Sequence, residues 1–297
     1  MLASSASASE IVTRDATAVS LKVDAKGYAL VGWKQGNIVK RALFFGAVNA
    51  NAPTRGGKQV AFKRDFSGGW GTFHSKYWET MKSTCRPYDG PPLAWAVTAC
   101  KAADGSYWAL QSWQRMLPDL GLDPWKPEQS VWELHLSHWT GTLPALDVKV
   151  DWSYAGKYHH LFGTYTYGNT GVFGFKSTST GVPLDDFGRN VYLDTFNSAY
   201  GSGWKRENSF LAHAGGGSFC YGFYPHPPYP GYPRGNRPTG NGLKYRITAI
   251  GPGVAPDVMW TGNGLPNYDK ANAELVQLES DMNAAQLALG DPKCTHS

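Results

Sequence analysis

Only two of the chain's seven glutamates, Glu133 and Glu207, fall in its strand-rich body. Glu133 shares the polar face of an alternating segment with His135 and Ser137. Asp151 lies on the polar face of the next such segment, and Asp194 shares a face with Tyr192 and Asn190. Paired carboxylates cleave glycosidic bonds: one protonates the leaving oxygen while the other attacks or activates water. The separations needed are about 5–5.5 Å for retention and roughly 6.5–9.5 Å for inversion. Glu133 and Glu207 are the expected acid and nucleophile or base, in either order. An acidic polysaccharide would admit elimination instead. There His159 or Tyr192 would take the proton, and Arg189 or Asn190 would neutralise a uronate carboxylate.

The aromatic residues point to the same substrate class. They make up 14% of the chain, with 12 Trp, 16 Tyr and 13 Phe. An indole or phenol presents a flat apolar face with a polar handle, which matches the CH face of a sugar ring. Strand parity divides them. Trp132, Trp152 and Tyr154 are expected in the core. Trp139, Tyr165, Tyr167 and Trp204 fall on the opposite parity and are the expected ligand-facing set. The expected partner is therefore a polysaccharide or oligosaccharide. A lectin-like, cell-surface or structural module is the non-enzymatic counterpart.

Other chemistries lack their motifs. No HExxH, GxxxxGK[ST] or GxGxxG occurs, which removes the main support for zincin, P-loop and Rossmann readings. No GxSxG occurs either; Gly216-Gly217-Ser218-Phe219-Cys220 lacks the final glycine. The eight histidines include no i, i+2 pair that would bring two ligands to one strand face. No cofactor and no metal is expected.

Charge and cysteines bear on compartment. The net charge is +5, and charged residues form 17% of the chain, where about 25% is usual. Such a chain is too apolar to be disordered. No run approaches the ~18 apolar residues that span a bilayer, so membrane insertion is not expected. Basic residues look scattered along the chain, so nucleic acid is not an expected partner. Cys85, Cys100, Cys220 and Cys294 contain no CxxC pair and suit two disulfides. The favoured pairing is Cys85–Cys100 with Cys220–Cys294. In the chain-entropy account these contribute about 3 and roughly 4–5 kcal/mol. The small, polar start, LASSASAS after Met1, resembles the mature end of a secreted protein. The absence of an Asn-x-Ser/Thr sequon fits a bacterial source.

The elements that must position these residues are mostly strands. Period-2 alternation is clearest at 131–139 and 146–154 and recurs along most of the chain. Gly-rich turn signals separate the segments, among them Gln35-Gly36-Asn37 and Gly168-Asn169. The expected fold is mainly β: an antiparallel β-sandwich or open barrel-like fold in one domain, 16–297, after a flexible tail at 1–15. A seam is placed near 117–129 and a Pro/Tyr-rich surface loop at 225–242. A short helix is expected at 73–84. An apolar stripe of Ala271, Leu275, Leu278, Met282, Ala285 and Leu289 predicts a long helix at 269–289, packed on the sheets.

Overall fold

The structure is a computed structural model. It describes residues 9–52, 59–114, 131–154, 158–172, 176–177, 183–184, 191–198, 201–206, 209–213, 218–223, 244–263 and 269–287. The first part of the chain runs β1 (Glu10–Arg14), β2 (Thr17–Val23), β3 (Ala29–Gln35), β4 (Ile38–Phe45), β5 (Lys63–Asp65), α1 (Trp70–Phe73), α2 (Tyr77–Thr80), β6 (Arg86–Pro87), β7 (Ala96–Lys101), β8 (Tyr107–Gln114) and β9 (Trp132–Trp139). The second runs β10 (Ala145–Tyr154), β11 (Tyr158–Tyr167), β12 (Thr170–Gly171), β13 (Lys176–Ser177), β14 (Pro183–Leu184), β15 (Val191–Ser198), β16 (Gly201–Arg206), β17 (Ser209–His213), β18 (Ser218–Phe223), β19 (Lys244–Ala249), β20 (Val258–Asn263) and α3 (Ala273–Leu287).

The fold is mainly β, and its strands pair antiparallel. The first sheet has the order β1-β9-β8-β7-β6 and the second β2-β3-β4-β5. The third is β10-β11-β18-β17 with β12 on β11, and the fourth is β16-β15-β19-β20. A β13-β14 ribbon completes the described pairing. The β11–β12 hairpin follows its turn signal. Gly168 at φ 56° and Asn169 at φ 62° are both left-handed, as a two-residue type I′ turn requires.

Two apolar clusters follow from strand alternation. In one, Val31, Ala42 and Phe44 of the second sheet meet Trp108, Leu110, Leu134 and Leu136 of the first. In the other, Leu161 and Tyr165 of the third sheet meet Leu193, Tyr245 and Ile247 of the fourth. Each fully buried large apolar side chain contributes about 1.5–3 kcal/mol. The Cys85–Cys100 disulfide forms as expected, with Cα atoms 5.6 Å apart, and both cysteines pack against the first cluster. The Cys220–Cys294 pairing lies outside the described residues, as do the seam at 117–129 and the loop at 225–242.

Three expectations change. Residues placed in the 1–15 tail include strand β1, which pairs with β9. Glu10 is buried there and accepts hydrogen bonds from the Phe62 backbone and Arg64. The helix at 73–84 is instead two single turns, α1 and α2, with His74 at φ 50° ending the first. Their aromatic residues Phe73, Tyr77 and Trp78 are drawn onto Leu30, Leu43 and Met81 rather than into one continuous helix. The terminal helix α3 spans Ala273–Leu287, short of 269–289. Asn272 Oδ1 accepts from the Glu274 and Leu275 backbone and starts it. Leu275 and Leu278 are half-buried, and none of its side chains whose burial is described is buried. Among the described residues no helix is long and apolar enough to cross a membrane.

Candidate functional site

The two faces of the first sheet differ in character. Leu134 and Leu136 enter the apolar cluster. Glu133, His135 and Ser137 point the other way, as their alternation predicts, yet all three are buried. Residues 250–258 cover His135 and Ser137. Asp257 anchors this cover. Its Oδ2 accepts from Trp113 Nε1 at 2.7 Å, and its Oδ1 accepts from the Gly251 amide at 3.0 Å and from the Ser9 hydroxyl. Gln111 bonds both the backbone N–H and C=O of Asp257, at 2.8 and 2.9 Å.

Two histidines on β9 are held in opposite ways. The His135 ring stacks on Trp113 at 5.0 Å. Its Nε2 lies 3.3 Å from Glu133, and its Nδ1 lies 3.4 Å from Asp257. Burial disfavours the imidazolium, but the Asp257 and Glu133 carboxylates outweigh it and raise the pKa. His138 stacks on Trp108 at 3.8 Å. Burial pushes its pKa from 6.5 down to about 4, against the Ala47 carbonyl and Asp104. In its neutral form, Nδ1–H donates to Ala47 O while Nε2 accepts from the Ser106 hydroxyl at 2.8 Å.

The signs of the linkage follow. The His135 contribution is complete below the unfolded pKa and is lost as pH rises through the raised folded value. The His138 contribution is complete above 6.5 and is lost as pH falls towards about 4. The shift of His138 corresponds to about 3 kcal/mol. The stability gap between the native protein and His138→Asn is therefore expected to narrow by about that amount from pH 7 to pH 4. Urea midpoints across the range measure it. Parallel pH curves would contradict it.

Beside the polar layer, the first and fourth sheets border a cleft of about 140 Å³. Trp95, Trp113, Trp132 and Trp204 line it with Arg246 and Thr248. Antiparallel register positions the first sheet's share: Gln114 pairs with Trp132 and Trp113 with Glu133. Alternation along β19 buries Tyr245, Ile247 and Ala249 in the second cluster and sends Arg246 and Thr248 to the cleft. The Arg246 guanidinium lies between two indoles, 4.5 Å from the Trp95 centroid and 4.3 Å from that of Trp204. Asp194, its cross-strand partner, accepts from Arg246 Nε at 3.1 Å and from a terminal nitrogen at 2.8 Å.

Trp95 is the strained member. Its φ of 56° is uncommon for a bulky L residue and costs of order 1–3 kcal/mol. The Ser112 amide bonds its carbonyl at 2.9 Å and helps hold it. Two polar atoms in the cleft wall, Trp95 Nε1 and Thr248 Oγ1, are buried without a hydrogen-bond partner among the described residues. Buried polar groups are nearly always paired. The indole nitrogens of Trp33, Trp108 and Trp139 are buried in the same way among the described residues.

The sequence-chosen residues scatter. Trp204 lines the cleft, and Asp194 sits behind it with Arg246. Tyr192 shares the backbone face of Asp194 on β15, opposite Thr248. Glu133 is tied to Arg14 at 3.2 Å and to His135. Asp151 and His159 occupy one face of the β10–β11 pair, since Ser153 opposes His159, and their side chains lie outside the described residues. Glu207, Arg189 and Asn190 lie outside them altogether.

Two aromatic expectations are corrected. Trp139 and Tyr165 are fully buried and present no face to a sugar. Trp139 packs on Tyr107, and the Tyr165 hydroxyl donates to Ile250 O. Tyr167 is half-buried. Trp132, expected in the core, is 45% exposed because it opens its strand at the cleft. Trp95, Trp113, Arg246 and Thr248 were missed. The parity of 244–249 was the available signal for the last two. Among the described residues, no group of three His, Cys, Asp or Glu side chains gathers to hold a metal ion. Comparison with known protein families, curated proteins and solved structures finds no match for this chain.

Proposed function

We propose that this protein binds a glycan by seating a sugar ring in the tryptophan cleft. The observation that carries the reading is the cleft wall itself, in which Trp95, Trp113, Trp132 and Trp204 stand beside Arg246 and Thr248. A sugar needs indole faces for its CH surface and polar side chains for its hydroxyls. The cleft volume equals about five water molecules at ~30 Å³ each, which suits one ring. Asp194 offsets the Arg246 charge, so a neutral ring fits.

The sheets whose apolar faces share a cluster suit the sandwich version of the fold. The disulfide supports an oxidising, extracellular setting. Binding is favoured over cleavage because Glu133 and Asp194, the two candidate acids whose side chains are described, are each held by an arginine.

Titration calorimetry against a panel of neutral and acidic oligosaccharides tests this. Trp204→Ala and Trp132→Ala are each expected to weaken binding by about 2 kcal/mol, roughly 30-fold. A panel without binding, or unchanged affinity in both variants, would sink the reading. Reducing-sugar release that disappears in Glu133→Gln would favour the hydrolase instead.

A further inference from the structure

We propose that the outer face of the second sheet is a separate binding site for an acidic polysaccharide carrying carboxylate or sulfate groups. A hollow of about 240 Å³ lies there, lined by Lys22, Lys34, Lys40 and Arg41 with Ser20 and Trp78 among its other walls. Register builds it. Lys22 opposes Leu30, Ser20 opposes Gly32, and Gly32 opposes Arg41. Gly32 makes the floor: a Cβ there would fall 2.8 Å from Ser20 Oγ. A side chain at this central position would fill the depression between Ser20 and Arg41.

Charge identifies the ligand class. Three cations, Lys22, Lys34 and Arg41, stand on this face of the sheet and no Asp or Glu lines the hollow, in a chain whose net charge is only +5. None of the three forms an ion pair among the described residues; Lys40, opposite the inward Trp33, bonds the neutral Gln35 at 2.6 Å. Lys22, Lys34 and Lys40 are exposed. A concave surface of one sign concentrates counter-ions and steers polyanions to it. Ordering of the aromatic residues favours a glycan over nucleic acid. Single-stranded nucleic acid stacks its bases on open aromatic faces. Here the Arg41 guanidinium lies over the Trp78 ring at 4.8 Å, and Trp33 in the wall is 4% exposed. What the hollow offers is a group of cations around Gly32 without a neighbouring carboxylate in its lining.

The experiment measures binding of the whole protein to polygalacturonate, heparin, neutral dextran and a single-stranded oligonucleotide. Polygalacturonate and heparin separate carboxylate from sulfate as the recognised group. Lys34→Gln/Arg41→Gln removes two charges from the hollow, and Lys82→Gln/Lys270→Gln removes two from other exposed positions. At least one acidic polysaccharide is expected to bind, with affinity falling about tenfold between about 50 and about 200 mM salt. The hollow variant is expected to lose at least about tenfold, a difference of about 1.4 kcal/mol, while the control variant stays within about twofold. Dextran is expected not to compete. Absence of binding to both acidic polysaccharides, equal losses in the two variants, or tighter binding of the oligonucleotide would overturn the proposal. Dextran-insensitive binding also keeps it distinguishable from the tryptophan cleft, which takes a neutral ring.

Discussion

Arg246→Met is expected to destabilise the protein by about 3–5 kcal/mol. Asp194 is fully buried and Arg246 nearly so. The methionine fills similar space but withdraws both hydrogen bonds to Asp194 Oδ2 and the positive charge that supplies them. A carboxylate taken from water and stripped of such a partner keeps its desolvation cost. Two indoles lose their shared cation as well, since Trp95 and Trp204 flank the guanidinium. Asp194→Leu/Arg246→Met removes both charges and is expected to recover most of the loss. Urea unfolding of the two single variants and the double variant closes the cycle. Single variants within about 1 kcal/mol of the native protein would show that the pair does not hold the fourth sheet to the cleft.

The second large effect is expected at Asp257. Asp257→Ala removes one acceptor from three donors: Trp113 Nε1, the Gly251 amide and the Ser9 hydroxyl. Each buried donor left without a partner costs about 1–3 kcal/mol, so a loss of at least about 3 kcal/mol is expected. The change also withdraws a carboxylate that supports the charged form of His135. The pH dependence due to His135 is thus expected to shrink together with the stability. Asp257→Asn separates the two roles. It retains a carbonyl acceptor and removes the charge, so the pH dependence is expected to shrink as in Asp257→Ala, with Glu133 still beside His135, while more of the stability is kept. Equal losses in both variants would assign the whole effect to charge. Hydrogen exchange adds a local readout, because Asp257 joins the start of β1, the first sheet and residues 250–258.

Alternation carried a long way in this protein. The run 131–139 reads as a strand with Leu134 and Leu136 on one face and Glu133, His135 and Ser137 on the other, and β9 has that arrangement. Turn residues placed the Gly168-Asn169 hairpin, because two consecutive left-handed residues have few other uses. The 15-residue spacing of Cys85 and Cys100 suited a local bridge, and that bridge forms. These readings succeed because they depend on neighbours in sequence.

Burial by a second element escaped the same reasoning. Parity assigns a face but does not say what covers it. His135 faces Asp257, and Glu133 meets Arg14 and His135; neither faces water. Trp139 lies on the face parity gave it, yet it is buried against Tyr107. Charge behaved likewise. Lys22, Lys34 and Arg41 look scattered along the chain, and antiparallel register gathers them around Gly32. The terminal helix shows the converse. Its apolar stripe is real in sequence, but no side chain of α3 with described burial is buried.

Residue types and their spacing carried the β-rich class, the antiparallel alternation, the local disulfide and the inventory of aromatic and basic residues. Tertiary structure alone decided which of these meet. Trp95 reaches the cleft through a left-handed backbone that no residue pattern announces. Arg246 becomes part of the cleft wall because segments distant in the chain place Trp95 and Trp204 on either side of it. The physical reason is that side-chain direction is local, set by the pleat of a strand. A site is made of contacts between sheets, and those depend on how the whole chain buries its apolar faces.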